Sequence, residues 1–214
     1  MLLKSTNHLL YFSLICLLLL IQACDEGIFE SGIEEGKIEY TISYPDIPSD
    51  SYMQDFLPKK AETYFNKYGY RTDIIAAMGL FKTSIIKDKD QENLIHSVKV
   101  LNKKLASELS EQDISLFNPE FQDITIKKSD KTKRIAEYDC KAMEVTVNSD
   151  SSWSFILYYT DEIHIKDANK MSPFKSLDGV LMEYDVLSRN IHMKFSAVKV
   201  IKKEIHRADI LLEE

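Results

Sequence analysis

The sequence has few of the residues that build cross-linked or catalytic small domains. Its 214 residues include 3 cysteines, 6 glycines, 5 prolines and 1 tryptophan. It contains no Gly-rich phosphate loop, no His-Glu-x-x-His, no Gly-x-Ser-x-Gly and no cysteine pair for zinc. We therefore expect no cofactor, no metal and no enzymatic activity. Because Gly and Pro are scarce and 44% of the residues are apolar, we also expect a folded chain without long disorder.

The cysteines are too few for a disulfide framework. Cys16 and Cys24 belong to the N-terminal segment, which leaves Cys140 without an intramolecular partner. The neighbours of Cys140 alternate as in a strand, and no histidine lies near it in the sequence. This pattern favours a small buried strand residue over a reactive nucleophile.

Positive charge and long apolar runs are also scarce. The net charge of −7 disfavours nucleic acid as a partner, because phosphates bind basic surfaces. The apolar run Leu9–Ile21 spans 13 residues, whereas a membrane-spanning helix needs about 20. Since Lys4 precedes it, the run is typical of a secretory signal peptide.

The signal segment ends in Ile21-Gln22-Ala23-Cys24, which resembles the lipobox of bacterial lipoproteins. In those proteins the cysteine is acylated and becomes the mature N-terminus. We predict a lipoprotein signal peptide over residues 1–23 and lipidation of Cys24 with fatty acids such as palmitate, which would anchor the chain to a membrane. The alternative is an ordinary signal peptide with an incidental cysteine.

Residues 24–35 are predicted to form an acidic tether with five acidic and no basic residues. The eleven residues after Cys24 reach at most about 40 Å, so the domain would stay close to its membrane. This places it in the bacterial cell envelope, at the outer membrane on its periplasmic or surface face, with the inner membrane as the alternative. The acids either keep the tether off anionic lipid or act as a sorting signal.

Residues 36–214 are predicted to form a single β-rich domain. Apolar and polar residues alternate without error from Lys37 to Tyr44, which indicates a half-buried strand. Short loops between most of the further alternating segments predict antiparallel pairing. These segments are Tyr70–Met78, Phe81–Lys87, Asn93–Leu101, Leu105–Leu109, Phe121–Lys127, Arg134–Val147, Ser152–Tyr159, Val180–Leu187 and Ile191–Ile205.

Three features depart from simple alternation. The apolar pattern changes phase near Ala142 and again after Ala197, which predicts β-bulges. A short helical or irregular piece is expected around Ser110–Phe117. The segment Asp161–Asp178 has no clean period and is predicted to be a surface loop or flap.

One long helix is predicted after Ser49-Asp50. Its apolar residues recur at spacings of three and four, and Pro58 either kinks the helix or begins a second one. The apolar face comprises Met53, Phe56, Leu57, Ala61, Tyr64, Phe65 and Tyr68. The predicted fold class is therefore mainly β (α+β): a curved antiparallel sheet or half-barrel with one long helix on its concave face.

Residues that could carry catalysis or bind a metal are scattered. His96, His164, His192 and His206 lie far apart in the sequence, which favours surface or satisfied histidines over a metal site. Adjacent residues such as Asp161 and Glu162 point apart, which favours a solvated loop end over an acid–base pair.

Three segments carry a family resemblance. Thr132–Ala142, Tyr158–Ile163 and Leu177–Met182 follow the order "Thr-x-x-Ile-x-x-Tyr-x-Cys-Lys", "Tyr-Thr-x-x-Ile" and "Leu-x-Gly-x-Leu". They resemble the GLPGLI-type secreted proteins and related lipoproteins of the Bacteroidota, in which Gly usually stands at the position of Glu137. The resemblance implies an envelope location and a β-rich fold, and it supplies no catalytic residue.

Two functions are compatible with these features. The first is binding of a lipid or another apolar ligand in the concave face of the half-barrel. The second is a structural or docking lipoprotein whose exposed edge strand or Asp161–Asp178 loop binds an envelope protein. The candidate ligand face comprises Ile38, Tyr40, Ile42, Trp153, Phe155, Leu157, Met182, Tyr184, Met193 and Phe195.

Overall fold

The computed structural model describes residues 32–117, 119–148, 153–170, 172–188 and 190–211. The predicted signal peptide, Cys24 and the tether up to Ser31 lie outside these residues. From Gly32 onward the chain belongs to one compact unit. Within the described ranges, no helix is long and apolar enough to cross a membrane.

The described residues form one antiparallel sheet of 11 strands. Its spatial order is β6-β5-β4-β3-β2-β1-β11-β10-β9-β8-β7, so two meanders meet where β1 pairs with β11. The sheet is open, with β6 and β7 at its edges, which confirms a mainly β fold with antiparallel pairing. The strands are β1 Gly36–Ser43, β2 Lys60–Asn66, β3 Gly69–Ala76, β4 Phe81–Asp88, β5 Leu94–Val100, β6 Lys103–Leu109, β7 Ile124–Ile135, β8 Tyr138–Val147, β9 Trp153–Thr160, β10 Val180–Ser188 and β11 Ile191–Ile201.

The predicted long helix is wrong. In its place lie the 3-10 helix Tyr52–Asp55 and strand β2. Pro58 cannot donate an intrahelical hydrogen bond, and after it the residues of β2 alternate between buried and half-buried positions. Before Pro58, Met53 and Phe56 are 53% and 70% exposed, whereas Leu57 packs against the core, so these side chains do not form one core face. Among the described residues, the helices are α1 Glu111–Phe117, α2 Arg207–Ile210 and the 3-10 helices Tyr52–Asp55, Ala77–Gly79 and Pro119–Phe121.

The predicted strand Arg134–Val147 is divided by a tight turn. Ala136 and Glu137 have φ values of 48° and 77°, and they join β7 to β8 as a two-residue hairpin loop. Residues 128–131 separate the predicted strands Phe121–Lys127 and Arg134–Val147, but in the structure they lie inside β7, where the register shifts between Ser129 and Thr132. This irregularity lies opposite Ala142, but its extra residues belong to β7. β8 pairs with β9 without a register shift from Lys141 to Val147, so the bulge predicted near Ala142 is on the neighbouring strand.

The predicted change of phase after Ala197 is confirmed as a bulge in β11. Tyr40 pairs with Ala197 and Glu39 with Lys199, so one residue of β11 is skipped between them. Both sides of the bulge therefore turn apolar residues to the same face of the sheet. We call this face, which carries Ile38, Tyr40 and Ile42, the inner face, and the opposite one the outer face.

The two faces are covered by different segments. Residues 161–179 form an irregular loop, as predicted, but this loop is more than a surface flap, because its Phe174 and Ile163 are buried in the two main clusters of the core. On the outer face, Ile210 of α2 packs with Ile86 and Ile205. The loop fills the place that the sequence assigned to a helix.

Candidate functional site

The predicted ligand face is part of the hydrophobic core. Ile38, Tyr40 and Ile42 are less than 8% exposed, and Ile42 pairs with Phe195, against which the ring of Tyr184 stacks at 5.1 Å. Met182 lies at a register shift of β10 and is fully buried. Phe155 and Leu157 are also buried, and Trp153 and Met193 are half-buried.

Side chains of the chain itself cover this face. Phe174 is 1% exposed and contacts Phe155 and Tyr184 edge-on, each with ring centroids 6.2 Å apart. Phe121 adds further edge contacts to Phe174 at 5.9 Å and to Trp153 at 6.1 Å. Aromatic rings therefore occupy the volume in which an apolar ligand was expected.

Two clefts lie elsewhere, and none of the ten predicted face residues lines either of them. The first, of about 470 Å³, has a lining of mixed charge that includes Lys67, Lys166 and Asp178. Its Lys87 is buried and donates to the backbone carbonyls of Asp88, at 2.8 Å, and Gln91. The second cleft, of about 690 Å³, lies between α1 and the 161–179 loop.

The scattered polar residues do not converge into a catalytic group. Asp161 pairs with Lys141, whereas Glu162 accepts a hydrogen bond from the backbone N–H of Asp139 at 2.9 Å. His192 lies between Asp185 at 3.0 Å and Asp46 at 3.4 Å. Among the described residues, no group of three or more His, Cys, Asp or Glu side chains could hold a metal ion.

The prediction that Cys140 is a buried thiol is confirmed. It is 1% exposed, and its Sγ donates to the carbonyl of Tyr138 at 3.5 Å. Burial raises the pKa of the thiol to about 11, so the reactive thiolate is scarce at neutral pH.

The edge strand β6 is the most exposed strand of the sheet. Six of its seven residues are exposed, and Leu105 is 76% exposed. The strand pairs residue by residue with β5, from Leu94 opposite Leu109 to Val100 opposite Lys103, without a register shift. The hairpin closes on Val100 and Lys103, so the alternate residues Lys104, Ala106 and Glu108 direct their backbone N–H and C=O groups to the open side.

An apolar tip adjoins this edge. Two turns meet there, since the N–H of Leu101 donates to the carbonyl of Leu80 at 2.9 Å. The tip consists of side chains that are 38–98% exposed: Met78, Leu80, Phe81, Val100 and Leu101. Contiguous exposed apolar patches are a common feature of interaction surfaces.

The opposite edge, β7, is protected against pairing. Five basic residues and one acid lie between Lys127 and Arg134, and the register shift after Ser129 interrupts the ladder. Charged side chains and irregular edges are the devices that block edge-to-edge association. The two edges of one sheet therefore differ in how readily they would accept another strand.

Only part of the information about β6 can be obtained from the sequence. Alternation identified a short strand over Leu105–Leu109, but its position at an edge depends on the order of all the strands. The exposure of Leu105 could not be read from a pattern that looks like any other half-buried strand.

Comparison with known proteins gives little. No family model and no curated protein matches the chain. Two structures of PNGF-II resemble it: in space group C2 with a TM-score of 0.47 and 14% identity, and in P21 with 0.45 and 13%. The alignments cover 81% and 84% of this chain but only 28% and 30% of PNGF-II. A likeness of this extent carries no conclusion about function.

Proposed function

We propose that this chain is a lipid-anchored envelope protein that docks an extended polypeptide strand on the open edge of β6. The added strand would continue the sheet through main-chain hydrogen bonds, and alternate side chains would contact those of β6. The role is binding rather than catalysis, and it needs no cofactor.

The contrast between the two edges carries this proposal. A protein that only had to avoid aggregation would protect both edges, but β7 combines five cations with a break in its ladder, whereas β6 has two lysines, Lys103 and Lys104, and an unbroken ladder. β6 is regular, and its outward backbone groups adjoin the exposed side chain of Leu105.

The anchor is supported by the Ala23-Cys24 pair that ends the short apolar run. Cells fed an alkyne analogue of palmitate should label the wild-type chain and the Cys16→Ser variant. Cys24→Ser should lose the label and appear in the soluble or unprocessed fraction. Labelling that survives Cys24→Ser would contradict the anchor.

Docking can be tested with a photo-crosslinking amino acid in the full anchored chain in cells. Placed at Leu105, it should give a defined crosslinked polypeptide, whereas the same group at Lys128 on β7 should give none. Ala106→Pro removes an outward N–H, which an edge strand tolerates. It should lower the Leu105 product about tenfold, because an incoming strand loses a hydrogen bond and clashes with the ring. No product, or one insensitive to Ala106→Pro, would contradict docking.

The apolar-ligand hypothesis stays a prediction, because neither of the two described clefts is lined by residues of the predicted face. Its test is the fluorescence of Trp153, which contacts the rings of Phe121 and Phe155. A saturable change on adding fatty acid would favour that function, and the packing of Phe174 leads us to expect none.

A further inference from the structure

The charges on the outer face of β6 limit what can pair with it. Lys82 of β4 lies opposite Lys99 of β5, which lies opposite Lys104 of β6. Lys82 has a carboxylate partner in Asp73 at 2.8 Å. The other two lysines of the row, Lys99 and Lys104, lie side by side, and Lys104 is at the open edge. A strand that brings a carboxylate beside Lys104 would therefore relieve the repulsion between these two positive charges.

β6 itself carries such a carboxylate four residues away, at Glu108. An antiparallel copy of β6 centred on Ala106 places Lys104 opposite Glu108 of the second copy, and Glu108 opposite Lys104. Both residues direct their backbone groups outward, so the same register also forms the hydrogen-bonded pairs of an antiparallel ladder.

Other registers lack this match. A shift of four residues sets Lys104 against Lys104, or Glu108 against Glu108, and a shift of two leaves both charges without a partner. Like charges directly opposite each other are destabilising, whereas opposite charges stabilise a pair of strands. The charge pattern therefore selects one register.

The inner face fits the same register. Leu105 ends the cross-strand row of Tyr40, Ala61, Ile74, Thr83 and Val98. In the centred arrangement Leu105 faces Ser107 of the second copy and lies diagonal to its Leu105 and Leu109. Its exposed side chain would gain apolar neighbours across the seam.

We infer that the strand docked on β6 is β6 of a second copy of this chain, which joins two sheets into one across a two-fold axis. The inference rests on the proposed docking function. The axis runs perpendicular to the sheet, so Gly32 of each copy lies at the same position along this axis. If the sheet lies parallel to the membrane, the two predicted tethers would therefore reach the same membrane. A single strand pair is a small interface, so confinement to a membrane would favour association.

Disulfide trapping in the full anchored chain tests the register. Ala106→Cys should form a disulfide-linked dimer under copper phenanthroline, because paired Cα atoms across such a ladder lie about 5.5 Å apart. Ser107→Cys is the matched control, since Ser107 faces Leu105 rather than itself. Equal trapping at both positions, or none at residue 106, would overturn the proposed dimer.

Charge reversal tests the pairing of Lys104 with Glu108. Lys104→Glu or Glu108→Lys, each in the Ala106→Cys chain, should lower the trapped fraction about tenfold, because two favourable pairs become two unfavourable ones. The double variant should restore it, and so should co-expression of the two single variants, since their heterodimer pairs Glu with Lys at both sites. A double variant no better than the singles would overturn the register.

The outcomes separate this inference from the docking proposal. A crosslink from Leu105 that is lost in Ala106→Pro but joins a different polypeptide would overturn the second copy and leave strand docking standing. The absence of any product from Leu105 and from Ala106→Cys would overturn both.

Discussion

Glu137 occupies a backbone conformation that does not suit a residue with a side chain. With Ala136 it forms a hairpin loop in which both φ values are positive, a conformation that favours Gly at the second position. Glu137 therefore holds a strained conformation that Gly would adopt at lower cost.

Glu137→Gly should raise the free energy of unfolding by about 0.5–1 kcal/mol and the melting temperature by about 2–4 °C. Glu144→Gly is the matched control, because Glu144 is exposed in the middle of β8 and Gly weakens a strand there. Calorimetry measures both variants. A loss of stability in Glu137→Gly would contradict the account of the turn.

The direction in which Glu183 makes stability depend on pH can be predicted. Burial alone would raise its pKa, but hydrogen bonds from Lys133, at 2.7 Å, and Lys194 outweigh it and lower the pKa below its usual range. A depressed carboxyl pKa contributes stability above the unfolded-state pKa of about 4.3, and this contribution is lost as pH falls through the folded-state value.

Glu183→Gln should therefore reduce stability at neutral pH and make the fall in unfolding free energy between about pH 5 and 3 shallower. Urea unfolding at a series of pH values measures this slope. Glu144→Gln, which alters an exposed carboxylate on β8, serves as the control. A wild-type slope in Glu183→Gln would show that the two lysines do not stabilise the charged form.

At the scale of elements, the 161–179 loop is a structural part of the core. Phe174 is its most buried ring, and it bridges the aromatic cluster from Phe121 to Tyr184. Phe174→Ala should cost about 3–5 kcal/mol, because it opens a cavity under the loop. Phe56→Ala removes a ring that is 70% exposed and should change stability by less than about 0.5 kcal/mol. A small loss in Phe174→Ala, measured by chemical denaturation, would mean that the loop does not form the core.

Sequence patterns identified most strands but misassigned two elements, for identifiable reasons. Residues 60–66 satisfy both a helical spacing and alternation, and only pairing with β1 and β3 decides for a strand. The β7–β8 hairpin was missed because Ala136 and Glu137 are not the residues that usually mark such a turn. In the first case the deciding information lay in pairing with other strands, and in the second case the turn lacked the residues that usually mark it.

The candidate site was harder to predict than the fold. The sequence offered an apolar face, but apolar residues mark a core and a ligand site equally, and here Phe174 packs against that face. The edge that we propose for docking has an ordinary strand pattern. Its distinguishing property is its position, which depends on the pairing of β1 with β11 in the middle of the sheet.

At the scale of the whole molecule, two meanders share one sheet whose ends differ in character. The β7 end is cationic and irregular, and the β6 end is regular and adjoins the apolar tip. A lipid anchor would confine such molecules to a surface, where even a weak edge contact becomes populated. The account therefore depends on whether the backbone of β6 is paired when the protein is in its membrane.

Amide hydrogen exchange across β6 in the membrane-anchored chain, resolved to single residues, tests this most directly. We predict that the amides of Lys104, Ala106 and Glu108 exchange slowly there and quickly in the dilute single chain, whereas Leu105 and Ser107, which bond to β5, are protected in both. This alternate pattern is the signature of strand addition. Rapid exchange at Lys104, Ala106 and Glu108 in the anchored protein would contradict the account.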